Sequence, residues 1–221
     1  MRKTMLVLGI LFILTATSQA GFNFGVKTMS LSKTDLAPIV MSTGIPTHLN
    51  NNQTLGSYFG IDLGPQVVIF GGLDFTYSRS KEEQTSAGTT EIWEFKFTSF
   101  TPNVGVKFYL RPRTSGDIVP YLEGSFFKTF TSVTIQSPFA TPADLAFEKE
   151  LLKESMSPFG FCPAFGVEYY FSNNFSLGGE LGLRFSLASA EATEGTLTEK
   201  LNNDYISSYI GITLNYRFGL R

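Results

Sequence analysis

The sequence predicts an all-β fold: an eight-stranded antiparallel up-and-down transmembrane β-barrel. Three observations predict it. Eight runs of alternating apolar and polar residues lie between Gly21 and Phe218, their connections are alternately long and short, and an export signal precedes them. Alternation with a period of two marks a strand with two unlike faces, and an even number of strands closes a bacterial single-chain barrel.

Arg2 and Lys3 precede the apolar run Met5 to Leu14, and Ser18 and Ala20 are small residues at the minus-three and minus-one positions of a cut before Gly21. This is the layout of a secretory signal peptide over residues 1–20, which leaves 21–221 as the barrel domain. The apolar run is half the roughly 20 residues that a membrane-crossing helix needs. No later stretch approaches that length without a charge or a glycine, so no transmembrane helix is expected after processing. The signal segment has no cysteine to carry a lipid anchor.

The first strand, 22–31, starts with Phe22 and Phe24 and carries Lys27 on the opposite face. The second, 56–64, sets Phe59 against Asp62 and ends in the tight Gly64, Pro65, Gln66 turn. The third, 67–79, has Val67, Ile69, Gly71, Leu73, Phe75 and Tyr77 on one face and Asp74 on the other. In the fourth, 91–110, Trp93, Phe95 and Phe97 are odd-numbered whereas Phe100, Pro102, Val104, Val106, Phe108 and Leu110 are even, with Asn103 and Lys107 opposite them. A bulge near Thr98 and Ser99 is expected to repair this register. The fifth, 118–135, follows the Arg111 to Asp117 turn and sets Phe126 against Glu123. The sixth, 159–171, sets Tyr169 and Phe171 against Glu168 and leads into the Ser172, Asn173, Asn174 turn. The seventh, 175–190, presents Phe175, Leu177, Gly179, Leu181, Leu183, Phe185 and Leu187 outward, with Glu180 and Arg184 inward. The eighth, 204–218, alternates most cleanly: Ile206, Ile210, Ile212, Leu214, Tyr216 and Phe218 oppose Ser207, Tyr209, Gly211, Thr213, Asn215 and Arg217.

Long connections at 32–55, 80–90, 136–158 and 191–203 alternate with the short turns. Short turns belong on the periplasmic side and long loops outside the cell. Aromatic residues gather near both strand ends, Phe108, Tyr169 and Phe175 by the short turns and Phe75, Trp93, Phe95 and Phe126 towards the loops, as two interfacial girdles require. Pro102 and Pro163 lack ladder donors and fall on the lipid face near expected irregularities.

The inward set holds the bases Lys27, Lys107, Arg184 and Arg217 and the acids Asp62, Asp74, Glu123, Glu168 and Glu180. Near-balance points to ion pairs that plug the lumen, and eight strands leave an interior just wide enough for side chains to fill. Lys107 and Glu123 fall at similar heights on neighbouring strands, as do Lys27, Glu180 and Glu123 across the lumen.

Without Arg2 and Lys3 the basic count falls from 17 to 15 against 19 acids, and no basic stripe remains. Nucleic acid is not an expected partner. The lone Cys162 forms no internal disulfide and should point into the barrel. His48 is the only histidine and lies in a loop beside Leu49, Asn50 and Asn51. A general base needs contact with its nucleophile, and one His and one Cys on separate elements make a poor metal site. No catalytic residue, cofactor or metal is expected.

The segments Thr101 to Leu110 (TPNVGVKFYL), Val119 to Gly124 (VPYLEG) and Pro163 to Leu183 (PAFGVEYYFSNNFSLGGELGL) resemble the OmpA/OmpX-type outer-membrane β-barrel superfamily. The resemblance covers nearly all of 21–221. It implies a bacterial outer-membrane location, outer-membrane lipid and lipopolysaccharide as surroundings, and a terminal aromatic signal, here Tyr216 and Phe218, read by the outer-membrane assembly machinery. Gly219, Leu220 and Arg221 follow that signal. The superfamily includes adhesins, serum-resistance factors, secretion accessories and envelope anchors. A periplasmic anchoring domain is not expected, and a monomer is.

The loops carry twelve acids, among them Glu82, Glu83, Glu148, Glu150, Glu154 and Asp204, against the six bases Lys33, Arg79, Lys81, Lys149, Lys153 and Lys200. Thr141, Pro142 and Asp144 form a capped helix start before Leu145, Phe147, Leu151 and Leu152; the helix is expected to cover the barrel mouth. The first loop is apolar at Ile39, Val40, Met41 and Ile45. The expected function is non-enzymatic, structural or interactive, exercised through the external loops on an extracellular or envelope protein. The alternatives are a narrow solute- or ion-conducting barrel and, behind it, a lipid A-modifying enzyme.

Overall fold

Eight staves hydrogen-bond edge to edge into a ring. The computed structural model describes residues 21–31, 53–86, 89–136, 142–194, 197–202 and 204–218. The signal segment 1–20, the stretch holding Ile39 to His48, the Thr141 cap and Gly219 to Arg221 lie outside the described residues.

The strands are β1 (Phe22–Leu31), β2 (Gln53–Asp62), β3 (Val67–Ser86), β4 (Thr89–Tyr109), β5 (Ile118–Lys128) continuing as β6 (Phe130–Gln136), β7 (Phe159–Tyr170), β8 (Phe175–Leu187) continuing as β9 (Ser189–Glu194), β10 (Leu197–Asn202) and β11 (Tyr205–Phe218). The ring runs β3-β2-β1-β11-β8-β7-β5-β4, and β4 pairs back onto β3. Closure leaves these barrel strands without an open edge, the condition for crossing hydrocarbon with strands.

One face of every stave is apolar and exposed. Leu177, Leu181, Leu183, Phe185 and Leu187 on β8 and Ile206, Ile210, Ile212, Leu214 and Phe218 on β11 all point outward. An apolar face wrapped around a closed ring has no second sheet to pack against; only lipid covers it. The alternation read from the sequence therefore fixes both the strands and their solvent.

Inside, large rings are accommodated by glycines on the neighbouring strand. Tyr121 lies opposite Gly166, and Tyr209 opposite Gly182; a Cβ at either glycine would run into the tyrosine ring. At the periplasmic end Gly64 and Gly116 adopt φ of 118° and 85°, a region that glycine enters without steric penalty, and their turns stay short.

The fourth strand needs no bulge. β4 pairs with β3 in one continuous register from Thr89 to Phe108, and the odd-numbered residues from Phe95 to Lys107 face inward. Phe95 and Phe97 are buried, packed with Val133 and Leu152. They were expected outward because they are large and apolar. Above the membrane, however, the inner side of this wall is itself covered by helix α1 (Pro142–Ser155), and apolar residues belong there.

The segments expected as loops at 80–90 and 191–203 form hairpins. Residues 80–86 pair with 89–95, the start of β4, as a continuation of β3 and β4, and β9 pairs with β10 as a separate two-stranded sheet. α1 packs on β6 and β9 and so bridges the two projections across the top of the shorter β7.

Both prolines mark breaks in the ladder. The pairing of β4 with β5 and β6 skips Thr101 and Pro102, and β5 and β6 separate there at Thr129, whose N–H turns to Pro158 O at 2.8 Å. The pairing of β7 with β8 skips Cys162 and Pro163.

Candidate functional site

The nine sequence-selected charged residues all face the lumen, and the fold sorts them into three layers. At the periplasmic end Asp62 accepts from Arg113 Nη1 at 3.1 Å, Arg217 Nε at 2.7 Å and Asn23 Nδ2. In the middle layer Lys107 lies 3.5 Å from Glu123 and 3.6 Å from Glu168. Its Nζ also donates to Tyr58 OH at 3.3 Å and stands over the Tyr58 and Tyr121 rings, 4.6 Å from each centroid. Glu168 accepts from Tyr109 at 3.0 Å, Tyr170 at 2.7 Å and Ser176 at 2.9 Å, and Glu180 accepts from Tyr121 at 2.9 Å. In the outer layer Lys27 pairs with Asp74 at 3.7 Å, Asn103 Nδ2 donates to Asp74 at 3.0 Å, and Arg184 donates to Thr129 Oγ1 at 3.0 Å while stacking 3.9 Å above the Phe127 ring. Lys27 thus finds its close partner in Asp74, with Glu123 and Glu180 a layer below.

Arg113 completes this network and was not among the residues read from the sequence as lumenal. It belongs to the turn between β4 and β5, reaches back over the Tyr109 ring at 4.6 Å, and donates to Pro65 O at 3.1 Å and Gly64 O at 3.2 Å. With it the interior holds five bases, Lys27, Lys107, Arg113, Arg184 and Arg217, against five acids. The one signal for it in the sequence was the surplus acid.

Val68, Tyr109, Val119, Tyr121 and Tyr170 fill the space between the two lower charge layers. In the outer layer a space of about 20 Å³ remains between Lys27, Asp74, Asn103, Cys162, Arg184 and Tyr209, which admits no more than a water-sized guest. The Cys162 thiol points to Tyr209 OH at 3.7 Å. The chemistry of this interior is charge compensation. Among the described residues no three His, Cys, Asp or Glu side chains are grouped to hold a metal.

Outside the barrel, Tyr216 packs edge-on against Phe175 and Phe218, with centroids 4.6 and 4.4 Å apart, in the periplasmic aromatic girdle. At the other end, above the lipid belt, Glu94 on β4 accepts from Lys96 at 2.6 Å and from Arg79 Nε at 2.8 Å. These two hydrogen bonds, Lys96 first, hold its carboxyl below the usual carboxylate range. On the lipid-facing wall a groove of about 640 Å³ lies beside the break at Pro163, between Ser30, Phe165, Leu181, Leu183, Ser208 and Ile210, with Tyr209 visible at its base.

No protein-family model matches this sequence, and no curated protein matches it. Solved structures match the fold. The outer membrane protein OprG from Pseudomonas aeruginosa superposes over 90% of this chain and 96% of its own, with a TM-score of 0.55 and 12% identity. Escherichia coli outer membrane protein W matches over 89% and 97%, with a TM-score of 0.47 and 15% identity, and Neisserial surface protein A over 90% and 97%, with a TM-score of 0.46 and 11% identity. At such identities the likeness is one of fold. Taken with the closed ring and its lipid-facing belt, the likeness to OprG gives this chain the fold of an eight-stranded outer-membrane-type β-barrel.

Proposed function

We propose that the protein is a non-enzymatic outer-membrane barrel, closed along its axis, that acts at the cell surface through the β3–β4 projection and the α1-bridged outer end. One observation carries this reading: all three levels of the lumen are occupied by paired or ring-packed side chains, so the working surface is the outer end. The β3–β4 hairpin continues past the lipid belt with Arg79, Lys81, Glu83 and Lys96 exposed on its outer side, a mixed-charge face suited to an extracellular or envelope protein or to lipopolysaccharide. Planar-bilayer recordings of the refolded protein should show no steady conductance. Cells in which a short turn replaces residues 82–93 should lose adhesion to protein-coated surfaces while the barrel still shifts on gels before boiling. Steady conductance, or undiminished adhesion with the shortened protein displayed, would sink the proposal.

A second reading rests on the wall groove. The missing β7–β8 pairing at Pro163 lies beside an apolar recess on the lipid side, with Tyr209 between it and the outer lumen. Such a site suits capture of a small apolar molecule and its sideways transfer to the bilayer. Cells producing the protein should take up a small apolar dye faster than cells without it, and Pro163→Thr, which supplies the missing N–H, should remove most of the excess. Equal uptake in all three rules this reading out.

A further inference from the structure

The outer rim is notched where β7 stops short of its neighbours. Lys128 at the end of β5 lies opposite Phe159, the first residue of β7, and Phe159 lies opposite Leu187 at the end of β8. Tyr205 pairs with Ser186, which brings Asp204 to the same height. Lys128, Phe159, Leu187 and Asp204 therefore form one outward-facing row where the apolar belt ends. Above it the last turn of α1 supplies Glu154, and Ser157 lies two residues past the helix end. Together with Ala188 and Ser189 these residues enclose a recess of about 550 Å³.

The recess has two kinds of wall. Its floor is apolar and open to lipid: Phe159 is 57% exposed and Leu187 44% exposed, and below them the outward Phe161–Phe185 pair continues the same surface down the barrel. Its sides are charged and opposite in sign. Lys128 Nζ donates to Ser157 O at 2.6 Å, which leaves two of its three N–H donors for a ligand. Asp204 is exposed on the opposite side, an acceptor with no donor capacity of its own when ionised. A soluble anion would use only the lysine, and a soluble cation only the carboxylates. A ligand that lays hydrocarbon on Phe159 and Leu187 while meeting both charges is an amphiphile with a zwitterionic head.

We infer that this rim notch binds the head group of an outer-leaflet lipid bearing both a phosphate and a primary ammonium, with the phosphate on Lys128, the ammonium on Asp204 and an acyl chain over Phe159 and Leu187. Two sources offer that chemistry, a phosphoethanolamine glycerophospholipid and an amine-substituted lipid A. The barrel wall below the notch is independent of all four contacts, so head-group variants should leave folding intact.

The test is native mass spectrometry of the full protein released from nanodiscs holding equal amounts of phosphatidylethanolamine and phosphatidylglycerol, with the gel shift before boiling as a check of folding. The wild type should retain the ethanolamine lipid over the glycerol lipid by about three- to five-fold, the value of one exposed charge contact. Asp204→Asn should bring that ratio to about one, and Lys128→Gln should lower retention of both lipids. Replacing the ethanolamine head by choline, which has no N–H to donate, should also abolish the preference. A parallel comparison of lipid A with and without amine substituents identifies the source: preference in one arm names that lipid, and preference in both names the shared head group. Equal retention of the two phospholipids together with equal retention of the two lipid A forms overturns the inference, as does a preference that survives Asp204→Asn.

Discussion

Lys107→Met is expected to destabilise the refolded barrel by about 3–5 kcal/mol, the usual consequence of removing one partner from a buried ionic group. Lys107 is the cation shared by Glu123 at 3.5 Å and Glu168 at 3.6 Å, and it is almost fully buried. Its loss leaves two carboxylates facing each other and withdraws the cation from over two tyrosine rings. The triple variant Lys107→Met/Glu123→Gln/Glu168→Gln should recover a substantial part of the loss, since replacing a whole buried ionic group is far less disruptive than breaking it. Urea unfolding in lipid vesicles, followed by tryptophan and tyrosine fluorescence, measures both. If the single variant matches the wild type, the middle layer is hydrated rather than mutually paired, and the conducting alternative regains its footing.

The barrel was legible because its physics is periodic. Each stave must show lipid one face and the lumen the other, so Leu177 to Leu187 and Ile206 to Phe218 declared their sides by parity alone. The same reasoning failed where the environment changes along a single strand. Phe95 and Phe97 follow the parity of Lys107, but they stand above the bilayer, where α1 makes the inner side apolar; the register is unbroken and the solvent differs. The outer part of β3, read as a loop at 80–90, was unreadable for a related reason. Ser80, Lys81, Glu82, Glu83 and Gln84 are a polar run without apolar alternation, so a hairpin in water looks like a loop. The two prolines were visible as anomalies, yet that Pro102 ends the β4–β5 pairing and Pro163 interrupts β7–β8 depends on the neighbouring strand. Charge was legible strand by strand, and the turn that contributes Arg113 fell outside any such reading.

Asp62→Asn should cost about as much as the loss of Lys107, roughly 3–5 kcal/mol, but at a different place in the barrel. Asp62 neutralises two guanidinium groups, Arg113 from a turn and Arg217 from the last strand, and it also accepts from Asn23 on the first strand. An amide cannot compensate either charge, so Arg113 and Arg217 are left facing each other. The damage spreads to the turns because Arg113 holds Gly64 O and Pro65 O through the same guanidinium. Amide exchange should therefore quicken at Leu63, bonded to Val67 O, and at Gly116, bonded to Tyr170 O, while the middle-layer strands keep their protection. Arg113→Met, which removes one of the two cations and leaves Asp62 paired with Arg217, should be milder in stability and equal in its effect on the turns. If Asp62→Asn loosens the whole barrel uniformly, or leaves the turn amides as slow as before, Arg113 is not the clasp that the geometry makes it, and closure of the periplasmic end has to be sought in the packing of Tyr109 and Tyr170.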